Sequence, residues 1–152
     1  MKLFRQCLAA CALSFVSYLA SAEVIVKDAW IRATVVQQHA TGAFMQIQSS
    51  KDVRLLSVQT EIAGIAEIHE MKMENNLIKM REISHLEIPA GKTIELKPGS
   101  LHLMLMDLKG QVKPGDNVTL KLKFESKDKK TEIVEVKAQA KALNEPVVPG
   151  KM

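Results

Sequence analysis

Short apolar runs recur about every ten residues along this chain, separated by turn-forming residues, which is the spacing of an all-β sandwich or barrel. They fall at 24–31, 42–47, 53–58, 65–73, 77–83, 93–96, 101–108, 118–124 and 133–136, and none continues with a helical 3.6-residue period. Asn75-Asn76, Ile88-Pro89-Ala90-Gly91, Pro98-Gly99 and Lys113-Pro114-Gly115-Asp116 punctuate them. The run 118–124, Val-Thr-Leu-Lys-Leu-Lys-Phe, alternates strictly and predicts a strand with one apolar face and one wet face. The charged segment 125–130 reads as the solvated loop of a hairpin.

Residues 1–22 have a basic start at Lys2 and Arg5, an apolar segment from Leu8 to Leu19 and Ala20-Ser21-Ala22 before Glu23. They read as a cleaved signal peptide, the apolar segment being too short to span a bilayer core of ~30 Å. Leu8-Ala9-Ala10-Cys11 resembles a lipoprotein box, but most of the apolar segment follows that cysteine. Cleavage after Ala22 removes both cysteines, Cys7 and Cys11, and leaves 23–152 as one thiol-free domain stabilised by its core alone. It also leaves 19 basic residues against 17 acidic ones, scattered rather than banded, so neither nucleic-acid binding nor stable membrane insertion is expected. The tail, with Pro146 and Pro149, is expected to fray from about 138.

Candidate chemistry concentrates in 69–106. His69-Glu70-Met71 and His102-Leu103-Met104 each place an imidazole and a thioether on the same face of a strand. A two-residue turn at Asn75-Asn76 would set Met73 opposite Ile78, Met71 opposite Met80, Glu70 opposite Arg81 and Lys72 opposite Lys79. The last juxtaposition counts mildly against that register. Leu101, Leu103 and Leu105 would enter the core, turning His102, Met104 and Met106 the other way. Single histidines are usually surface groups and single methionines usually packing, but two His-x-Met pairs among four histidines exceed chance. His39 and His85 lack such neighbours and read as loop residues; Trp30, Phe44, Met45 and Phe124 read as core.

Seven side chains are therefore candidate ligands: His69, Met71, Met73, Met80, His102, Met104 and Met106. Strand geometry does not choose between Met71 and Met80. Thioethers are soft, neutral ligands that favour Cu(I) over zinc or the hard cations. A blue-copper centre would need a cysteine thiolate, which 23–152 lacks. No nucleophile–base arrangement or carboxylate pair promises catalysis.

The long-range spacing His69, ten residues, Met80, twenty-one residues, His102-Leu103-Met104 resembles the H-x10-M-x21-H-x-M pattern of PCuAC-type periplasmic copper chaperones. Asp28-Ala29-Trp30-Ile31-Arg32, Thr41-Gly42-Ala43-Phe44-Met45, Ile88-Pro89-Ala90-Gly91 and Leu96-Lys97-Pro98-Gly99 extend the likeness over 24–136. The resemblance implies a single-domain, cupredoxin-like Greek-key β-sandwich that binds Cu(I) through His69, Met80, His102 and Met104. It further implies a monomeric, non-enzymatic carrier in the periplasm, delivering copper to a cytochrome oxidase copper site or another assembly chaperone. Ser100 stands where a glycine is common, and the tail lacks the His- and Met-rich extension that some members use for Cu(II). The rival reading is a secreted β-sandwich interaction module without metal. A copper redox enzyme fits less well, because thioether-rich ligation disfavours Cu(II).

Overall fold

The computed structural model describes residues 23–142, which form ten strands and no helix. In chain order these are β1 (Val24–Arg32), β2 (Ala40–Ser49), β3 (Val53–Gln59), β4 (Ala63–Glu74), β5 (Leu77–Glu82), β6 (Leu86–Ile88), β7 (Thr93–Leu96), β8 (His102–Leu108), β9 (Asn117–Ser126) and β10 (Thr131–Lys141). The signal peptide expected at 1–22 and the segment 143–152 lie outside the described residues.

The strands form one sheet in the order β5-β4-β8-β2-β1-β10-β9-β3-β6, with β7 also paired to β2. Among the described residues only β1 with β10 is a parallel pair. β6 sits at the far end of that order, yet four residues later the chain re-enters as β7 on β2. The sheet therefore curls on itself, and Gly91 N–H donating to Ser49 O at 2.8 Å closes the crossing. Inside lie Ile31, Ala43, Met45, Ile68, Leu103 and Leu105 from one half, against Leu55, Ile88, Leu120, Leu122 and Phe124 from the other. β9 alternates as expected, with Val118, Leu120, Leu122 and Phe124 buried and Thr119, Lys121 and Lys123 exposed.

Three elements depart from the sequence expectations. β6 falls partly in a segment read as a break. β10 runs through Lys141, so the tail does not fray from 138: Ala138 and Ala140 are buried, and Ala140 exchanges 2.8 Å backbone hydrogen bonds with Asp116 and Gly115. Their small side chains fit where β10 runs beside β1, with Ile31 paired to Ala140. Finally, β1 holds an extra residue between Lys27 and Trp30, with Asp28 at φ 52°. Such a bulge reverses the inside–outside parity of a strand. Val26 pairs with Ile47 before it and Ile31 with Ala43 after it, so Ile31 enters the core. Trp30, expected there with Phe44, is buried with that residue on the opposite face.

Candidate metal centre

β4 is long because it serves two neighbours in succession. Its first half, Ala63 to His69, pairs with β8, and its second half, His69 to Glu74, pairs with β5. His69 alone belongs to both ladders, facing His102 on one side and Glu82 on the other. Beyond it the β4–β5 hairpin projects as a two-stranded wing, and every β5 residue is exposed. Asn75 (φ 51°) and Asn76 (φ 61°) supply the two left-handed residues of a tight hairpin turn. The register is the expected one: Met73 opposite Ile78, Met71 opposite Met80, Glu70 opposite Arg81. Lys72 does face Lys79, but Glu70 and Glu74 each take one ammonium at 3.1 Å. Lys72, followed by Arg81, holds the Glu70 carboxyl below the usual carboxylate range against a smaller opposing effect of burial.

Residues directly opposite one another share a sheet face, so the pairings place all seven candidates on the face turned away from the core. His69, Met71 and Met73 lie along β4, Met80 on β5, and His102, Met104 and Met106 on β8. The tightest part is a two-by-two block in which His69 faces His102 and Glu67 faces Met104. Met80 lies diagonally from His69 on the wing side. Met71 and Met80 are direct partners, so the register leaves the choice between them where the residues left it. The two imidazole centroids are 5.8 Å apart, edge to face. The row then continues across the sheet to Phe44, 6.3 Å from His102, and Trp30, 4.4 Å from Phe44. Arg32 and Lys141 cap these last two rings at 5.8 and 5.4 Å.

Both histidines are buried, at 8% and 6% exposure. His69 Nε2 lies 2.7 Å from Glu67 Oε2; a carboxylate accepts, so Nε2–H is the donor and the neutral ring carries its lone pair on Nδ1. That Nδ1 is buried with no hydrogen-bond partner. His102 Nδ1–H donates to the Ser100 carbonyl at 2.9 Å, leaving Nε2 with the lone pair. Each ring is thus held by one nitrogen and offers the other, the usual condition of a metal-binding histidine. Among the described residues no three His, Cys, Asp or Glu side chains converge as a metal cage; the other candidate donors on this face are thioethers. Met104 is half-buried beside the pair, and Met80 is half-exposed on the wing. His39 and His85 stand apart in loops, His85 paired with Glu87 at 3.2 Å.

Reading forward from each histidine missed Glu67, Ser100, Phe44 and Trp30. For Glu67 the signal was present, since it lies two residues before His69 and shares its face. For Trp30 there was none, because a bulge decides its side.

The sequence profile of the LpqE-like family matches residues 24–138. The chain belongs to the LpqE-like family. It is 30% identical over 102 residues to "Putative lipoprotein Lxx21020" of Leifsonia xyli subsp. xyli, a match covering 66% of this chain and 61% of that protein. It is 28% identical over 124 residues to the uncharacterized protein RP573 of Rickettsia prowazekii, covering 78% and 67% respectively. The match therefore spans about three fifths of the first relative's length. Among solved structures, Cu(I)-DR1885 from Deinococcus radiodurans aligns with TM-score 0.62 and 26% identity over 80% of this chain and 79% of its own. The apo PCuAC domain of PmoF1 aligns with TM-score 0.62 and 22% identity over 78% and 93%, and the copper-bound PCuAC domain of PmoF2 with 0.62 and 16% over 78% and 92%. This LpqE-like chain thus has the all-β, cupredoxin-like fold of PCuAC domains, as its motif implied.

Proposed function

We propose that this chain is an exported Cu(I)-binding chaperone, not an enzyme, with His69, Met80, His102 and Met104 as the ligands of its cargo ion. The observation that carries this reading is the buried, unpartnered Nδ1 of His69 beside the His102 ring. A buried lone pair without a partner costs on the order of 1–3 kcal/mol, and a metal ion is the occupant that a second imidazole and nearby thioethers would share. The copper-bound PmoF2 domain and Cu(I)-DR1885, which have the same fold, support the choice of ion.

The donor chemistry fits a monovalent ion. Two neutral imidazoles and two thioethers add no ligand charge, and soft sulfur favours Cu(I). The protein supplies the two oriented rings; the wing brings Met80 from one side and β8 brings Met104 from the other. Neutral ligands can exchange one at a time with those of a recipient, and the exposed Met80 is the first to release. The recipient is a periplasmic copper-receiving protein, either a cytochrome oxidase copper site or another assembly chaperone, met by the chain as a monomer.

Anaerobic titration of the 23–152 protein should show one equivalent of Cu(I) bound, with sulfur and nitrogen neighbours in X-ray absorption. The double variant His102→Ala/Met104→Ala should lose that equivalent. Retention of Cu(I) by the double variant would reject the ligand set, and a wild-type protein that binds none would favour a metal-free interaction module.

A further inference from the structure

We infer that Glu67 is a positioning residue, holding His69 by Nε2 so that Nδ1 is the atom presented to the ion. The inference rests on the Cu(I) reading above and deepens it. His69 is the pivot residue of β4, where the sheet body ends and the wing begins. A ring at such a place needs a second anchor besides its own backbone. Glu67 lies two residues earlier on the same strand, so its carboxylate reaches along the face to Nε2, at 2.7 Å. The nitrogen left over, Nδ1, is buried with no hydrogen-bond partner, and the His102 ring lies 5.8 Å away, centroid to centroid.

The two histidines are anchored in opposite senses. Ser100 takes Nδ1–H of His102, whereas Glu67 takes Nε2–H of His69. Their free nitrogens are therefore Nε2 of His102 and Nδ1 of His69, a mixed pair rather than two equivalent ones. The anchors also differ in kind. A backbone carbonyl cannot be lost by substitution, so Glu67 is the only ring anchor of the pair that a side-chain change removes. A carboxylate acceptor also makes the imidazole a stronger donor toward a cation.

Long-range proton–nitrogen spectra of the apo and Cu(I)-loaded protein test this directly. In the apo wild type, His69 should carry a slowly exchanging Nε2–H, and on loading with Cu(I) its Nδ1 signal should move most. Glu67→Ala should lose the slow Nε2–H signal and bind Cu(I) about 10–100-fold more weakly, the usual effect of removing a ligand's outer partner. Glu67→Gln keeps an acceptor oxygen in place and should recover most of both. Dispersed backbone amide spectra of each variant report that the fold is intact. Loading that moves Nε2 of His69, an oxygen neighbour to copper in X-ray absorption, or an unchanged affinity in folded Glu67→Ala would each overturn the role. A wild type that binds no Cu(I) would instead overturn the copper reading, an outcome separate from bound copper indifferent to Glu67.

Discussion

Gly42 faces Met104 across the β2–β8 ladder, and the ring of Phe44 folds back over it. A Cβ added at Gly42 would stand 2.7 Å from the Phe44 ζ-carbon. The ring has little freedom to yield, because Trp30 packs on it at 4.4 Å and Arg32 lies over it at 5.8 Å. Gly42→Ala should therefore destabilise the protein by about 1–3 kcal/mol, the usual cost of overpacking, and should weaken Cu(I) binding by shifting the ring beside His102. Gly64→Ala is the control. Its added carbon meets the exposed carboxylate end of Asp107, which can rotate into solvent, and the Asp107 Cβ at 3.3 Å, which need give only a few tenths of an ångström. Urea melts should rank Gly42→Ala well below Gly64→Ala, and equal midpoints would contradict the packing argument. At this scale the shared face of the candidate histidines and methionines was legible from the sequence, since two-residue spacing on a strand fixes a common face. The groups that hold and wall them were less so: Glu67 was readable by the same rule run backwards, whereas Phe44 and Trp30 look like any core aromatics.

The β4–β5 wing was the most legible element, because two adjacent asparagines with turn chemistry set the count for every pair beyond them. Its relation to the body was not legible, since nothing local says that β8 stops at His69 where β5 begins. Pro98-Gly99 marks a turn between β7 and β8 in the sequence, but nothing there shows that this segment turns the Ser100 carbonyl onto His102. The wing's exposure makes it separable in energy from the core. A left-handed residue other than Gly, Asn or Asp costs roughly 1–2 kcal/mol, so Asn75→Ala/Asn76→Ala should loosen the hairpin by a few kcal/mol. Hydrogen exchange should then accelerate at the β5 amides while β9 and β10 stay protected, and the melting temperature should move little. Cu(I) affinity should fall, because Met80 rides on β5. Full Cu(I) affinity in a variant whose wing exchanges freely would remove Met80 from the ligand set.

Residues 23–142 form one open sheet that curls over its own core, and that curling is what apolar periodicity could not convey: alternation tells which face is buried, not which strand lies alongside. Ion pairs reinforce the far side of the sheet. Arg54 on β3 pairs with Glu125 on β9, while Asp52, in the β2–β3 connection, takes Lys127 at 2.6 Å and the backbone N–H of Ala90 at 2.8 Å. Asp52 thereby ties the β6–β7 crossing to the β9–β10 loop. The hydrogen bond from Arg54 foremost, with Lys129 beside it, holds Glu125 below the usual carboxylate range, and Lys127 foremost, followed by Ala90, does the same for Asp52. The folded protein consequently binds fewer protons at these sites than the unfolded chain. Their contribution to stability is fully present above the unfolded carboxylate values of about 4 and is lost as pH falls through the lower folded values. Both pairs are solvent-accessible, so the effect is modest and screened by salt. Urea midpoints measured from neutral pH down to about pH 2 should decline in the acid range. Asp52→Asn/Glu125→Gln should start slightly lower at neutral pH and decline less steeply, so that the two curves converge in acid. Parallel curves would show that these carboxylates do not carry the acid sensitivity of the fold.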